Sequence, residues 1–76
     1  MAELLAHLAR NLVDEPDAVE VEEVRREGVT ILQLRVAKED VGKVIGKEGR
    51  TAQSMRTLLA AVSTKLGKRA HLDIVD

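Results

Sequence analysis

Hydrophobic residues recur at helical spacing in two parts of the chain, and each part predicts an amphipathic helix. The first helix is predicted over about residues 3–13, with an apolar stripe of Leu4, Leu5, Leu8, Leu12 and Val13. A longer helix is predicted from about Arg50, and its buried stripe consists of Ala52, Met55, Leu59, Val62 and Leu66. Gly67 follows this stripe directly and favours the end of a helix.

Apolar and polar residues alternate between the two helices, and a period of two predicts a half-buried strand. Val19 and Val21 alternate with glutamates, but Val24 breaks the alternation. This break predicts a bulge or a local twist near Glu23. Glu27–Gly28 is typical of a tight hairpin turn, so a second, antiparallel strand is expected to follow it.

The second strand is predicted over about residues 29–37, with one face made by Leu32, Leu34 and Val36. Lys38-Glu39-Asp40 is expected to open a short second helix, which ends at Gly46. A last strand over 70–75 has inward positions at Ala70, Leu72 and Ile74. The element order is therefore α-β-β-α-α-β.

This order predicts an α+β fold in a single domain of residues 1–76. The first two strands should pair antiparallel. The link from the second strand to the third contains two helices, which is long enough for a parallel crossover. The expected result is a three-stranded mixed sheet with the helices on one face.

The composition excludes several functions. The chain of 76 residues has no Phe, Tyr or Trp, so bases cannot stack on aromatic side chains. It has no cysteine, its two histidines are far apart in sequence, and no Ser or Thr is paired with a convincing base. We therefore expect no metal, no cofactor and no catalytic residue. No apolar run is long enough for a membrane span, and a basic signal-peptide region is absent, so a cytoplasmic location is expected.

Charge is divided unevenly along the chain, although the net charge is only −1. Residues 1–40 contain five Lys or Arg and ten Asp or Glu, whereas residues 41–76 contain seven and three. A basic half is typical of a chain that binds a polyanion on one side, although ordinary charge scatter remains an alternative. Lys68 and Arg69 are interpreted mainly as a solvated helix end.

The most informative segment is Val44–Arg50, in which Gly46 and Gly49 bracket Lys47 and Glu48. Glycine lets the backbone approach a ligand closely, and the start of the following helix presents free N–H groups to an anion. The segment is interpreted as a clamp for a sugar-phosphate backbone. Its predicted contacts are Lys43, Ile45, Gly46, Lys47, Glu48, Gly49 and Arg50. A plain helix-turn-helix connection is the alternative.

Residues 41–50, Val-Gly-Lys-Val-Ile-Gly-Lys-Glu-Gly-Arg, resemble the signature of the KH domain, an RNA-binding module. With this element order and length, the chain is similar to the small bacterial KH proteins of the KhpA family, which have the type II fold. The resemblance implies binding of single-stranded RNA with little sequence preference. It also implies pairing with a larger KH protein of the KhpB/Jag type, in post-transcriptional regulation or RNA chaperoning.

The resemblance also implies an aliphatic groove beside the loop. Val41, either Val44 or Ile45, and Ala52 match positions in or under that groove, and Ile31 and Gln33 are expected on its opposite wall. Two residues depart from the family pattern. Glu48 places a negative charge in the loop, and Ala52 stands where many KH domains have Ile or Leu, so the groove should be shallower.

A protein-interaction module is the second hypothesis. Leu58–Val62 is apolar almost all around the third helix, which is more than one core stripe requires. The predicted interface consists of Ser54, Leu58, Ala61 and Lys65. It would serve a homodimer or a heterodimer with a second KH protein.

Overall fold

The predicted order of helices and strands is confirmed by the computed structural model, which describes residues 1–75. Helix α1 spans Ala2–Arg10, strand β1 Glu20–Arg26, strand β2 Val29–Arg35, helix α2 Val41–Ile45, helix α3 Arg50–Lys65 and strand β3 Arg69–Val75. Single 3-10 turns occur at Pro16–Ala18, Lys38–Asp40 and Lys47–Gly49. The strands lie in the order β1-β2-β3, with β1 antiparallel and β3 parallel to β2. The fold is α+β and is consistent with a type II KH domain.

One face of the sheet carries the core. Leu32 and Leu34 of β2 and Leu72 of β3 are almost fully buried, as are Leu5 of α1 and Leu59 of α3. Because side chains alternate along a strand, the residues between them lie on the opposite, open face. Aliphatic side chains and Met55 build this core, since the chain has no aromatic residue.

Helix α1 ends at Arg10, three residues before the predicted end near Val13. The side-chain amide of Asn11 donates a hydrogen bond to the carbonyl of His7 at 2.8 Å, and the backbone N–H of Leu12 bonds Ala9. Asparagine side chains compete in this way with the helical hydrogen-bond pattern. Leu12, predicted to be in the buried stripe, is consequently 40% exposed.

The predicted bulge near Glu23 is wrong. The pairing of β1 with β2 runs without interruption from Glu20 opposite Arg35 to Arg26 opposite Val29. Val24 does not point to the core but lies opposite Ile31 on the open face, so the two aliphatic side chains share that face. The alternation breaks because Val21 lies on the core face and Val24 on the open face, and the strand contains no extra residue.

Helix α3 begins and ends where predicted, but the second half of its buried stripe differs from the prediction. Ala52, Met55 and Leu59 are buried, but the stripe then turns to Ser63, whose hydroxyl donates to the carbonyl of Leu59 at 2.6 Å. Leu66 is 57% exposed. The helix closes with the backbone N–H of Lys68 bonding the carbonyl of Ser63, around Gly67 at φ +70°.

Within residues 1–75, no helix combines the length and apolar character that crossing a membrane requires.

Candidate nucleic-acid interface

The glycine loop, residues Gly46–Gly49, connects α2 to α3 and depends on Gly46. Gly46 has φ +78° and ψ 174°, a region that essentially only glycine occupies. A Cβ built on Gly46 would lie 2.2 Å from the hydroxyl oxygen and 2.8 Å from the backbone nitrogen of Thr51. Glycine at position 46 thus allows this backbone conformation and also lets the loop lie close to the first turn of α3.

The rest of the loop turns through two left-handed residues. Glu48 has φ +56° and Gly49 has φ +73°, and the N–H of Gly49 bonds the carbonyl of Gly46. A left-handed conformation at a non-glycine residue costs roughly 1–2 kcal/mol, so Glu48 is held there by the turn around it. No side chain caps the start of α3, and the backbone N–H of Arg50 bonds the carbonyl of Lys47.

Lys43 of α2 is engaged in ion pairs. Its ammonium group donates a hydrogen bond to the carboxylate of Asp14 and lies 3.7 Å from a carboxylate oxygen of Asp40. The hydrogen bond to Asp14, followed by the attraction of both carboxylates, raises the pKa of Lys43 above the ordinary value of lysine. Lys43 is charged throughout the neutral pH range, but its charge is already shared with two carboxylates.

Asp40 is the acidic residue of this cluster that is buried. Its side chain is 2% exposed, and one of its carboxylate oxygens accepts the backbone N–H of Glu15 at 3.0 Å. It therefore ties the connection after α1 to the start of α2. Sequence reasoning missed this role, because Asp40 was assigned only to the first turn of a helix and its partners are distant in the chain.

The remaining loop cations differ in their availability. Arg50 lies 3.5 Å from the carboxylate of Glu48, and both side chains are largely exposed. Lys47 is exposed and forms no ion pair with any residue in 1–75. Lys47 is therefore the loop cation whose charge is most available to a phosphate.

The predicted groove residues are only partly brought together. Val44 and Ala52 are buried and out of reach of a ligand, while Val41 is half-buried and Ile45 is 39% exposed. Ile45 is the aliphatic side chain beside the loop that a ligand can reach.

Ile31 and Gln33, expected on the opposite wall, are placed apart from these residues. They alternate along β2 with the buried Thr30, Leu32 and Leu34, and so lie on the open face of the sheet, away from the helices. Their neighbours across the sheet are Val24 and His71 for Ile31, and Glu22 and Asp73 for Gln33. The structure does not bring them to the glycine loop.

The residues of the predicted interface all lie exposed on α3: Ser54, Leu58, Ala61 and Lys65. An apolar pocket of about 290 Å³ lies between this helix and α1, and its lining consists of Leu8, Asn11, Leu12, Thr51, Ser54, Met55 and Leu58. Sequence reasoning missed the contribution of α1, because Leu12 was assigned to the core. Its position beside Asn11, a residue that often ends a helix, was the available signal.

No group of three metal-ligating side chains is arranged to hold an ion in the part of the chain that the structure describes.

Comparison with known proteins shows the family of the chain. A family model described as KhpA/KhpB, KH domain, matches residues 2–74. A relative from Treponema pallidum, named RNA-binding protein KhpA, is 55% identical over 97% of this chain and 92% of its own length. Another of that name, from Caldanaerobacter subterraneus, is 51% identical over 99% of this chain and 100% of its own length.

Solved structures show the same fold within a larger protein. Era of Aquifex aeolicus bound to GDP and AlF4− superposes with a TM-score of 0.62 at 20% identity, over 96% of this chain and 28% of that one. Era in complex with MgGDPNP and nucleotides 1506–1542 of 16S ribosomal RNA gives a TM-score of 0.60 at 19% identity. At such identities the likeness concerns the fold.

Proposed function

Because the chain belongs to the KhpA/KhpB family of KH domains, we propose that it is a cytoplasmic RNA-binding protein, and not an enzyme, that clamps single-stranded RNA through its glycine loop. The relatives named above are RNA-binding proteins. The family loop type covers about four nucleotides of backbone. With no aromatic side chain available for stacking, backbone contacts dominate and sequence preference is low.

The geometry of Gly46 carries this proposal. The loop passes within contact distance of Thr51 only because position 46 has no side chain. The exposed Lys47 lies in this loop, just before the start of α3, which no side chain caps. Phosphate oxygens accept hydrogen bonds from backbone N–H groups and from an ammonium group such as that of Lys47. Ile45 supplies an apolar contact at the side of the same loop, whereas Val41 is half-buried and Val44 and Ala52 are buried.

A double substitution in the loop tests the clamp. Lys47→Asp with Glu48→Asp should abolish binding to an RNA of about four nucleotides, the length one KH loop covers. Two carboxylates would then repel the phosphate that Lys47 attracts. Titration of a labelled RNA followed by fluorescence anisotropy measures the loss, and circular dichroism of the same sample should show an unchanged fold.

Arg56→Asp is the matched control, because Arg56 is an exposed cation of α3 outside the loop. It makes the same change of charge as Lys47→Asp and should leave binding of the short RNA nearly intact. Full-strength binding by the loop variant, or an equal loss in both variants, would remove the glycine loop from the mechanism.

A second candidate function is association through α3, with another copy of the chain or with a larger KH protein. Leu58 is 39% exposed and Leu12 is 40% exposed, and both line the apolar pocket between α3 and α1. Exposed aliphatic side chains grouped in this way are typical of an interaction surface. Ala61 and Lys65 continue the surface along α3, and a two-fold axis would make it self-complementary.

Sedimentation at several protein concentrations tests this association. The wild-type chain should form dimers, and Leu58→Glu or Ala61→Glu should shift it to monomers, because each places a charge in an apolar contact. Gln53→Glu adds a charge to an exposed residue of the same helix outside the predicted interface and should leave dimers intact. A wild-type monomer at high concentration would end the homodimer hypothesis.

A further inference from the structure

A second basic cleft lies at the end of the sheet that carries the hairpin turn. This hairpin cleft has a volume of about 610 Å³, and its lining consists of Arg25, Gly28, Thr30, Gly67, Lys68 and Arg69. It is built from the Glu27–Gly28 turn on one side and the turn after α3 on the other. Helix α3 has the glycine loop at its start and this cleft beyond its end, so the two sites lie at opposite ends of a 16-residue helix.

The charged residues that line the hairpin cleft are all positive. Three of its six lining residues are cations and none is a carboxylate. Arg25, Lys68 and Arg69 take part in none of the ion pairs formed within residues 1–75. This contrasts with the glycine loop, where Lys43 and Arg50 both lie beside carboxylates. A surface of unshared positive charge attracts polyanions.

Two glycines leave the hairpin cleft open. Gly28 has φ +79° and Gly67 has φ +70°, and beyond its two chain neighbours no residue has an atom within 4 Å of the place that a Cβ would take on either glycine. The hairpin turn has positive φ at both central residues, as a type I′ turn requires. Both turns therefore expose backbone without a side chain, so a ligand phosphate can approach the backbone of either turn, next to a cation that lines the cleft.

The interpretation of Lys68 and Arg69 as a solvated helix end explains only part of this arrangement. A cation after a helix interacts favourably with the negative end of the helix dipole, and Lys68 fits that role. Arg25 belongs to β1 and Arg69 to β3, so the dipole of α3 does not account for their convergence with Lys68.

We propose that the hairpin cleft binds phosphate groups of the RNA backbone, as a second contact for a strand that also engages the glycine loop. The two sites are separated by the length of α3, about 24 Å at 1.5 Å per residue. An RNA that the loop alone covers does not extend to the cleft, whereas a longer strand reaches both. The inference rests on the chain binding RNA, as proposed above, and not on the loop being the contact.

The test compares a short and a long RNA. Lys68→Gln with Arg69→Gln should weaken binding of an unstructured RNA of about 20 nucleotides, five times the roughly four that the loop covers. The slope of log affinity against log salt should become shallower by about 1.4, since each single-strand phosphate contact contributes about 0.7. Binding of the four-nucleotide RNA should not change. Arg10→Gln with Arg56→Gln removes two exposed charges outside the cleft and should alter neither RNA.

The loop variant Lys47→Asp with Glu48→Asp separates this proposal from the previous one. It should lose the short RNA and retain residual, salt-sensitive binding of the long one. An unchanged slope for the long RNA in the cleft variant would overturn the hairpin cleft while leaving the loop in place. Loss of all binding in the cleft variant, with full binding in the loop variant, would keep the cleft and overturn the loop.

Discussion

At the scale of single residues, the glycine loop has no room for a side chain at position 46. At position 48 it holds a side chain at the energetic cost of a left-handed backbone. Gly46 is both at positive φ and in contact with Thr51, including its backbone nitrogen. Gly49 has positive φ but open space around it. Glu48 carries a side chain in the left-handed region and places its carboxylate near Arg50. Glycine is therefore needed at the two positions for different reasons: at position 46 for its conformation and for lack of space, and at position 49 for its conformation alone.

This difference predicts unequal effects of alanine. Gly49→Ala should lower the free energy of unfolding by roughly 1–2 kcal/mol, the cost of a left-handed alanine. Gly46→Ala should cost more, at least about 2 kcal/mol, because its Cβ also meets backbone that cannot move away as a side-chain tip can. Urea unfolding of both variants measures the difference. Equal losses would show that the contact with Thr51 relaxes without cost.

At the scale of elements, the sequence predicted what depends on local periodicity. The start and end of α3, the hairpin turn and the inward residues of β3 follow from spacing and from glycine, and each is confirmed. The end of α1 depended on one side-chain hydrogen bond of Asn11. The absence of a bulge in β1 depended on Ile31 of the partner strand, which accommodates Val24 on the open face.

The candidate site was predictable in its loop and not in its surroundings. Gly46–Gly49 could be recognised because the motif is contiguous. The partner of Lys43 could not be recognised, since Asp14 lies 29 positions earlier, in the connection between α1 and β1, and meets Lys43 only in the folded chain. Ile31 and Gln33 were expected near the loop because the resemblance placed them there, and the period of β2 puts them on the open face instead.

The stability of the packing between the segment after α1 and the start of α2 should depend on Asp40 more than on Asp14. Asp40→Ala leaves the N–H of Glu15 without its side-chain acceptor and should lower the free energy of unfolding by about 1–3 kcal/mol. Asp14→Ala is the matched control. It also removes a carboxylate from Lys43, but the side chain is 77% exposed, so stability should stay near that of the wild type. Thermal unfolding of both variants compares them, and an equal shift would contradict a special role for the buried carboxylate.

At the scale of the whole molecule, charge is arranged by position along the sheet and not simply by half of the chain. One end of the open face carries mostly carboxylates. Glu20 lies beside Arg35 there, and Glu22 and Asp73 flank Gln33. The opposite end has Arg26 and Arg69 on either side of Val29. The acidic half of the sequence also supplies Asp14 and Asp40 to Lys43. The division of charge seen along the chain therefore overstates how basic the surroundings of the glycine loop are.

This arrangement predicts weak salt dependence for short RNA. Lys43 is held by two carboxylates and Arg50 by one, so the loop neutralises about one phosphate through Lys47, or two where Arg50 leaves Glu48 for the ligand. At about 0.7 per phosphate of a single strand, the slope of log affinity against log salt should lie between about −0.7 and −1.4 for an RNA of about four nucleotides. Asp14→Asn should steepen the slope by up to about 0.7, because Lys43 then keeps only Asp40, 3.7 Å away, and its charge becomes more available to a further phosphate. Anisotropy titrations across a salt series measure both values. A wild-type slope already near −2, unchanged by Asp14→Asn, would show that Lys43 exchanges its carboxylate partners for RNA without restraint.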